Sequence, residues 1–269
     1  GVSNFGTISS ASGDVILMGG FVNNQGQIGA MNGVVALGSG GDILVNEASN
    51  GSKISIQGAS DYQGTGVTNG GTIRGAAAEL KAHGNVYALA INNTGTIRAS
   101  GATRANGRVL LTARGATSNI NLGSDSNISA KVGDEGGTIA ISSETGDVRV
   151  AGIVDASGTV GGSISVNGKN VTQTDTSVID VSGTANGGVA VLDAAETMAV
   201  NGLVTANGAQ SAGGATTITG RSVVIADQAT ISVDGATSGG LLRIGGDFQG
   251  RNTGLREADS LRVEQGAFL

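Results

Sequence analysis

The sequence contains no cysteine, no proline and no tryptophan, and only 2% of its 269 residues are aromatic. Without cysteine, the chain has no disulfides, no thiolate chemistry and no zinc–thiolate site. Proline lacks the backbone N–H that a strand needs when it pairs on both sides, so its absence suits a fold made of such strands. Because large aromatic side chains are scarce, the core must be built from Val, Ile, Leu and Ala in thin, uniform layers.

Positive charge is also scarce, since 15 Lys and Arg residues face 21 Asp and Glu residues and the formal net charge is −6. Nucleic acids and anionic membranes attract proteins through clusters of Lys and Arg, so neither is expected as a partner. No apolar run approaches the roughly 18 residues of a spanning helix, which predicts no membrane insertion. The chain starts at Gly1 with neither an initiator methionine nor a signal sequence, and we expect it to be a segment of a longer protein.

Glycine is abundant, with 49 residues. The glycines do not follow the strict third-position spacing of collagen, and a hydrophobic fraction of 39% argues against disorder. Gly-Gly pairs recur at steps of 25 or 26 residues, and a short alternating apolar stretch follows each pair. The pairs are Gly136-Gly137, Gly161-Gly162, Gly187-Gly188, Gly213-Gly214 and Gly239-Gly240.

Two apolar ladders run in phase with these pairs. The first consists of Ile128, Val154, Ile179, Val204 and Ile231. The second consists of Val148, Val171, Met198 and Val224. Each repeat therefore holds about three short strands separated by turns that are too short for a crossover helix, and hairpins would not keep equivalent side chains in one register. We predict an all-β fold, a parallel β-helix of about eleven three-strand coils spaced roughly 4.8 Å apart.

The N-terminal third repeats an N-x-G-x-I pattern, whose copies begin at Asn4, Asn24, Asn69 and Asn93. The first step is 20 residues, which predicts shorter coils, and the second step of 45 residues predicts two coils. Between residues 38 and 67 the pattern is lost, which predicts an irregular loop or a short strand pair. We expect one β-helical unit over 1–269, with irregular, shorter coils in 1–115 and regular coils of about 25–26 residues in 116–269.

Two local signals complete the prediction of the fold. Residues 76–83 are strong helix formers followed by Gly84, which predicts a short helical excursion of one or two turns that ends near His83. Asn-Gly dipeptides, including Asn32-Gly33, Asn106-Gly107 and Asn207-Gly208, are expected to supply left-handed backbone conformations at tight corners.

A catalytic β-helix would need acids that converge on one face, with a basic residue or a bound calcium ion. The densest acidic group and the densest basic group are both interpreted as solvated surface, so we predict no catalytic, cofactor-binding or metal-binding residues and no cofactor. The acidic group is Asp134, Glu135, Glu144, Asp147 and Asp155. The basic group is Arg98, Arg104, Arg108 and Arg114.

Three other patterns in the sequence bear on function. His83 is the single histidine, and it is expected to cap the helix at 76–83. Gly245-Gly246-Asp247 is similar to a calcium-binding repeat but occurs once, where such a site needs recurrence on consecutive turns. The threonines do not keep the single register that an ice-binding ladder would require. They are Thr72, Thr96, Thr138, Thr159 and Thr184.

The N-x-G-x-I units, followed by G-x-V-x-L units such as residues 13–17 and 33–37, resemble the filamentous haemagglutinin-like exoproteins (adhesins) of two-partner secretion systems, as do residues 83–95 and 245–250. The resemblance implies a right-handed β-helical shaft, export through an outer-membrane transporter of a Gram-negative bacterium, and a role in adhesion, aggregation or biofilm. The family's secretion domain carries asparagine–proline motifs. Because this chain has no proline, we expect it to lie downstream of that domain or within it.

The leading functional hypothesis is a non-catalytic structural segment of a secreted, surface-displayed bacterial fibre or adhesin. Self-association through open coil ends and binding to a host or cell-surface glycan are expected of such a fibre. The first alternative is a β-helical polysaccharide lyase or hydrolase. The second is the stalk of a contact-dependent growth inhibition toxin.

Overall fold

The computed structural model describes residues 1–45, 52–101 and 107–269, and within them the chain is almost entirely β-strand, with a single 3-10 turn at Phe248–Gly250. The first fifteen strands are β1 (Val2–Asn4), β2 (Thr7–Ser10), β3 (Val15–Gly19), β4 (Val22–Asn24), β5 (Gln27–Ser39), β6 (Ile43–Val45), β7 (Ile54–Ile56), β8 (Val67–Asn69), β9 (Thr72–His83), β10 (Ile91–Asn93), β11 (Thr96–Gly101), β12 (Arg108–Arg114), β13 (Ile120–Leu122), β14 (Asn127–Val132) and β15 (Glu135–Gly136). The remaining strands are β16 (Thr138–Ser143), β17 (Val148–Val150), β18 (Ile153–Asp155), β19 (Gly158–Val160), β20 (Ser163–Gly168), β21 (Val171–Gln173), β22 (Val178–Asp180), β23 (Gly183–Asn186), β24 (Val189–Ala194), β25 (Thr197–Val200), β26 (Leu203–Thr205), β27 (Ala215–Thr219), β28 (Ser222–Ile225), β29 (Thr230–Ser232), β30 (Leu241–Ile244) and β31 (Ser260–Val263).

The strands stack in parallel, coil upon coil, on three faces, which confirms the predicted parallel β-helix. The first face is a ten-stranded sheet in the order β1-β4-β8-β10-β13-β17-β21-β25-β28-β31. The described residues therefore form ten stacked coils on this face, whereas the sequence predicted about eleven. The second face stacks β2, β5, β9, β11, β14, β18, β22, β26 and β29. The third face stacks β3, β5, β9, β12, β16, β20, β24, β27 and β30. The long strands β5 and β9 turn the corner between the second and third faces.

The core lies inside the coils and consists of in-register columns of aliphatic side chains. On the second face one column runs without a break from the N-terminal coil, and all its members are buried except the partly buried Ile8. Each fully buried isoleucine in such a column contributes about 1.5–3 kcal/mol relative to an exposed one. The column is Ile8, Ile28, Ile73, Ile97, Ile128, Val154, Ile179, Val204 and Ile231, which includes the whole first ladder expected from the sequence.

The second expected ladder is correct except at its last position. Val148 pairs with Val171, and Val171 pairs with Met198, but Met198 pairs with Val223 and not with Val224. Val223 is buried, whereas Val224 points outward beside Ala199. A strand buries alternate residues, and residues 223 and 224 are both valines. The sequence therefore did not indicate which of the two faces inward.

The 45-residue step between Asn24 and Asn69 is a single coil with an insertion, so the prediction of two coils was wrong. β4 pairs directly with β8, and Val22 lies opposite Val67. The extra residues include β6 and β7, which form an antiparallel hairpin outside the stack, and this confirms the predicted strand pair. The insertion leaves the coil register unchanged.

The predicted helix at 76–83 does not exist, because these residues form the second half of β9. Between Ala77 and Ala82, β9 pairs with β5 on one side and with β12 on the other. Ala78, Leu80 and Ala82 are buried in the aliphatic core. An isolated helix of eight residues is marginal in water, and two flanking strands together with core burial override the helical propensity of this segment.

The second glycine of each Gly-Gly pair stands in a column where the coils approach closely. A Cβ on Gly162 would lie 2.1 Å from the carbonyl oxygen of Gly137, and one on Gly188 would lie 2.2 Å from that of Gly162. The same carbonyl oxygen of Gly137 accepts the N–H of Ser163 at 2.9 Å. A side chain would therefore separate the coils where the inter-coil ladder begins, which is why the pair recurs once per coil.

The same close approach explains most of the Asn-Gly dipeptides. Of the three glycines singled out from the sequence, Gly107 has a left-handed φ of +67°, whereas Gly33 and Gly208 do not lie in that region. A Cβ would lie 2.4 Å from the carbonyl oxygen of Gly13 at Gly33 and 1.9 Å from that of Ala212 at Gly208. The expectation of left-handed corners was therefore wrong at those two glycines. Asn106 lies outside the described residues.

A narrow, glycine-rich loop projects from the corner between the second and third faces in each C-terminal coil. We call the stack of these loops, residues 131–137, 156–162, 181–188, 206–214 and 233–240, the glycine fin. β19 pairs with β23 in the fin, and single bridges continue the stack from Gly183 to Gly208 and from Gly208 to Gly235. The fin is too thin to hold side chains between its two walls, because a Cβ on Gly183 would lie 1.9 Å from the carbonyl oxygen of Asn186.

Candidate functional site

The five acidic residues singled out from the sequence are not brought together as a site. Glu144 accepts the N–H of Gly115 at 3.1 Å, Asp147 accepts from the Asn170 amide at 2.8 Å, and Asp155 accepts the N–H of Ser157 at 2.8 Å. Asp134 and Glu135 are exposed in the glycine fin. Across the described residues, no group of three or more His, Cys, Asp or Glu side chains could hold a metal ion.

The four basic residues have different environments. Arg98 and Arg114 are exposed, as expected, and Arg104 lies outside the described residues. Arg108 was expected to be solvated, but its side chain is only 11% exposed and lies 3.5 Å from a carboxylate oxygen of Glu79. That prediction was wrong for Arg108, because the insertion covers the face on which it lies.

The other sequence signals are structural. His83 ends a strand and not a helix, with Nδ1 3.0 Å from the carbonyl oxygen of Gly84, so the proposed helix cap is wrong. Asp247 pairs with Arg243 at 3.3 Å. Thr72 stacks on Thr96 on the second face, while Thr138 lies on the third face, so these threonines do not share one ladder.

A buried ladder of side-chain amides is the first feature that the sequence analysis did not anticipate. Asn4, Asn24, Asn69 and Asn93 occupy one inward position in consecutive coils of the first face and are all buried. Each Nδ2 donates to Oδ1 in the next coil at 2.7–2.8 Å, and Asn93 donates to Oγ of Ser126 at 2.6 Å. The next coil carries Leu122 at this position, so the ladder ends there.

A buried ion cluster is the second such feature. Glu79 on β9 is fully buried and lies 3.2 Å from Nζ of Lys81. The insertion contributes Oγ of Ser52 at 3.2 Å and the backbone N–H of Lys53 at 3.1 Å. Glu79 thus joins two cations of the coil, Lys81 and Arg108, to the backbone and side chains of the insertion.

The insertion is held by further contacts around this cluster. Nζ of Lys53 lies 3.4 Å from Asp14, and Nζ of Lys81 donates to the carbonyl of Ile54 at 2.7 Å. A small apolar cluster packs between the hairpin and the outer surface of the coils, and it contains Val34, Ala36, Ile54 and Ala77. The aromatic rings of Phe21, on the coil, and Tyr62, in the insertion, lie with centroids 4.6 Å apart and planes tilted by 33°. The outer surface of these coils is therefore covered by protein.

The last strand of the first face in the described chain, β31, is uncovered. Every residue of β31 is exposed, and among the described strands β31 pairs only with β28. Leu261, Val263 and Phe268 are 49%, 44% and 64% exposed. This end presents both apolar side chains and the unpaired backbone groups of an edge strand.

Comparison with known proteins supports the fold. No protein-family model and no curated protein sequence matches the chain. Among solved structures, the secretion domain of HMW1 from Haemophilus influenzae is similar, with a TM-score of 0.68 and 23% identity over 88% of this chain. The chain spans 64% of the length of that structure. In the described part of the chain, no helix has the length and apolar character needed to cross a membrane.

Proposed function

We propose that the chain is a non-catalytic structural segment of a secreted, surface-displayed exoprotein of a Gram-negative bacterium, exported by two-partner secretion. The observation that carries the proposal is the similarity of the parallel β-helix to the HMW1 secretion domain over 88% of this chain. The N-x-G-x-I coils support it, because their asparagines form the buried amide ladder and give the N-terminal third of the chain a fixed inter-coil register. An outer-membrane transporter is the partner that this role requires.

The absence of catalysis is part of the proposal. Glu144, Asp147 and Asp155, three of the five acidic residues singled out from the sequence, each accept a separate backbone or amide hydrogen bond. These structural roles support a scaffold rather than a polysaccharide-active enzyme. Adhesion, end-to-end filament assembly and binding of surface glycans are the further roles we propose for the full exoprotein.

An export assay tests the proposal. The chain, fused to a signal for the inner-membrane export pathway, is expressed in a Gram-negative host with and without the outer-membrane transporter of its own secretion system. We expect the chain in the medium only when the transporter is present, while a periplasmic protein with the same signal stays in the periplasm in both strains. Because the similar part of HMW1 is its secretion domain, we take the chain to lie within the corresponding domain of its own exoprotein. Retention of the chain in the periplasm beside a functional transporter would overturn the proposal.

A further inference from the structure

One row of outward-facing side chains on the second face carries charge of opposite sign at its two ends. The row passes through five consecutive coils, and the register of β9, β11, β14, β18 and β22 aligns its members directly above one another. From the N-terminal side, the row is Arg74, Arg98, Ser129, Asp155 and Asp180. Two cations are therefore followed by a small neutral residue and two anions, at steps of roughly 4.8 Å.

These four charges are available for an external partner. Arg74 and Arg98 are exposed, and Asp155 and Asp180 are half-buried. Within the described residues, no ion pair joins any of the four to another side chain. Each aspartate uses Oδ1 to accept a backbone N–H, that of Ser157 or Ser182, at 2.8 Å, which fixes the carboxylate and leaves Oδ2 free of these bonds.

The arrangement is self-complementary about Ser129. A two-fold rotation that places a second copy antiparallel on this face brings Arg74 of each copy opposite Asp180 of the other, and Arg98 opposite Asp155. We propose that the second face is a lateral docking surface for a second copy of this chain, paired antiparallel through these four ion pairs. A two-fold interface requires such a pattern, because one patch must match itself.

The shape of the face agrees with this partner. A groove of about 520 Å³ runs along the row, with Arg98 and Lys131 at one end, Asp155 and Asp180 at the other, and the aliphatic side chain of Ile153 beside them. Arginine side chains are long enough to enter the acidic end of the groove, where their guanidinium groups can contact carboxylates in pairs. Ile153 is 41% exposed and would be covered by the second copy.

The test uses three variants of the 269-residue chain and sedimentation equilibrium over a range of protein concentrations. Arg74→Glu/Arg98→Glu makes the row acidic, and Asp155→Lys/Asp180→Lys makes it basic. The third variant, Asp155→Asn/Asp180→Asn, removes the negative charges and retains the Oδ1 acceptors for Ser157 and Ser182. Circular dichroism checks that each variant is folded.

We expect the unaltered chain to form a dimer and each variant to associate about fourfold or more weakly, since an exposed ion pair changes an association constant by about 1.4- to fivefold and four pairs are lost. An equimolar mixture of the acidic and basic variants should regain the dimer. If the basic variant is unfolded, the asparagine variant takes its place as the test of self-association.

The basic variant also distinguishes the proposed pairing from nonspecific association, because the two predict opposite changes in how strongly it associates. The basic variant is four charges more positive than the unaltered chain at −6, so loss of general repulsion would make it associate more strongly. Our proposal requires it to associate more weakly. A chain that stays monomeric at its highest soluble concentration, or a mixture of the two variants that stays monomeric, would overturn the proposal.

Discussion

The side-chain amide of Asn24 donates a hydrogen bond to Oδ1 of Asn69 at 2.7 Å, although 45 residues separate them in the chain. Their backbones are paired in register, since Val22 lies opposite Val67 in the same two strands. The intervening insertion therefore leaves the stack without crossing it and returns to the next coil. A buried amide pair that fits only one register opposes a slip of one residue in β8, which would turn Asn69 to the outside and leave the buried amide of Asn24 without its partner.

The amide ladder predicts a large cost for removing one member. In Asn69→Leu, Nδ2 of Asn24 loses its acceptor and Oδ1 of Asn93 loses its donor, both in buried positions. At about 1–3 kcal/mol for each of these two unsatisfied buried groups, we expect a loss of about 2–6 kcal/mol in the free energy of unfolding, measured by urea denaturation. Thr68→Val on the adjacent outward position should change it by less than about 0.5 kcal/mol.

Replacing all four asparagines distinguishes the cost of unpaired buried amides from the cost of fitting leucine at this position. With Asn4, Asn24, Asn69 and Asn93 all changed to leucine, no side-chain amide of the ladder is left without its partner, although Oγ of the buried Ser126 loses its donor Asn93. Leucine already occupies this position in the next coil at Leu122. The fourfold variant should therefore lose less stability than four times the single change. A cost that is simply additive would show that the side-chain amides do not act as a connected ladder.

The strand phase predicts opposite outcomes for two neighbouring residues. Ile164 is fully buried in the core column of the third face, whereas Ser163 points outward and is half-buried. Ile164→Asp buries an unpaired charge and should abolish the folded circular dichroism signal at 25 °C, while Ser163→Asp should retain it. Equal loss of signal in both variants would contradict the assigned phase.

The sequence was sufficient to predict the architecture because inter-coil distance is set by backbone hydrogen bonding and is the same at every coil. The Gly-Gly pairs that begin at Gly136-Gly137 and the apolar ladder that begins at Ile128 recur once per coil, so this regular spacing is visible in the sequence. Where a coil carries an insertion, the period fails, and the step from Asn24 to Asn69 was divided into two coils that do not exist. The helix at 76–83 failed because local propensity does not include the two strands that flank β9.

The candidate surfaces were harder to predict from the sequence, because they depend on which outward-facing residues another segment covers. The insertion buries Glu79 and Arg108, which a repeat pattern places on the outer surface of a strand. The amide ladder, by contrast, was present in the sequence as the asparagine of N-x-G-x-I. Its inward direction follows from its spacing of two residues from an inward-facing valine or isoleucine, as in Val22 and Asn24.

The buried carboxylate predicts that one substitution releases the insertion. Glu79→Gln keeps the size of the side chain but removes the negative charge that lies beside Lys81 and Arg108, and breaking a buried pair costs about 3 kcal/mol or more. Hydrogen exchange should rise in Ile54–Ile56 of the hairpin, which contacts this cluster. Exchange in β20–β24, far along the stack, should not change.

An exposed ion pair serves as the control for that experiment. Arg221 and Asp259 lie 3.5 Å apart, and their side chains are 67% and 77% exposed. Solvent screens such a pair, so Asp259→Asn should change the free energy of unfolding by less than about 0.5 kcal/mol. If Glu79→Gln has an equally small effect and leaves exchange of the hairpin unchanged, the cluster does not hold the insertion in place.

The glycine column predicts that addition of one methyl group distinguishes two glycines of the same repeat motif. In Gly162→Ala the new Cβ would lie 2.1 Å from the carbonyl oxygen of Gly137, so the coils must separate where Ser163 donates its N–H. We expect a cost of about 1–3 kcal/mol, as for other overpacked sites, measured by thermal and urea unfolding. Gly239→Ala adds the same methyl group where no atom lies within 4 Å, and because alanine also reduces the freedom of the unfolded chain, this variant should be neutral or slightly more stable. If both variants lose the same stability, backbone freedom and not inter-coil distance is the reason for the glycine pairs.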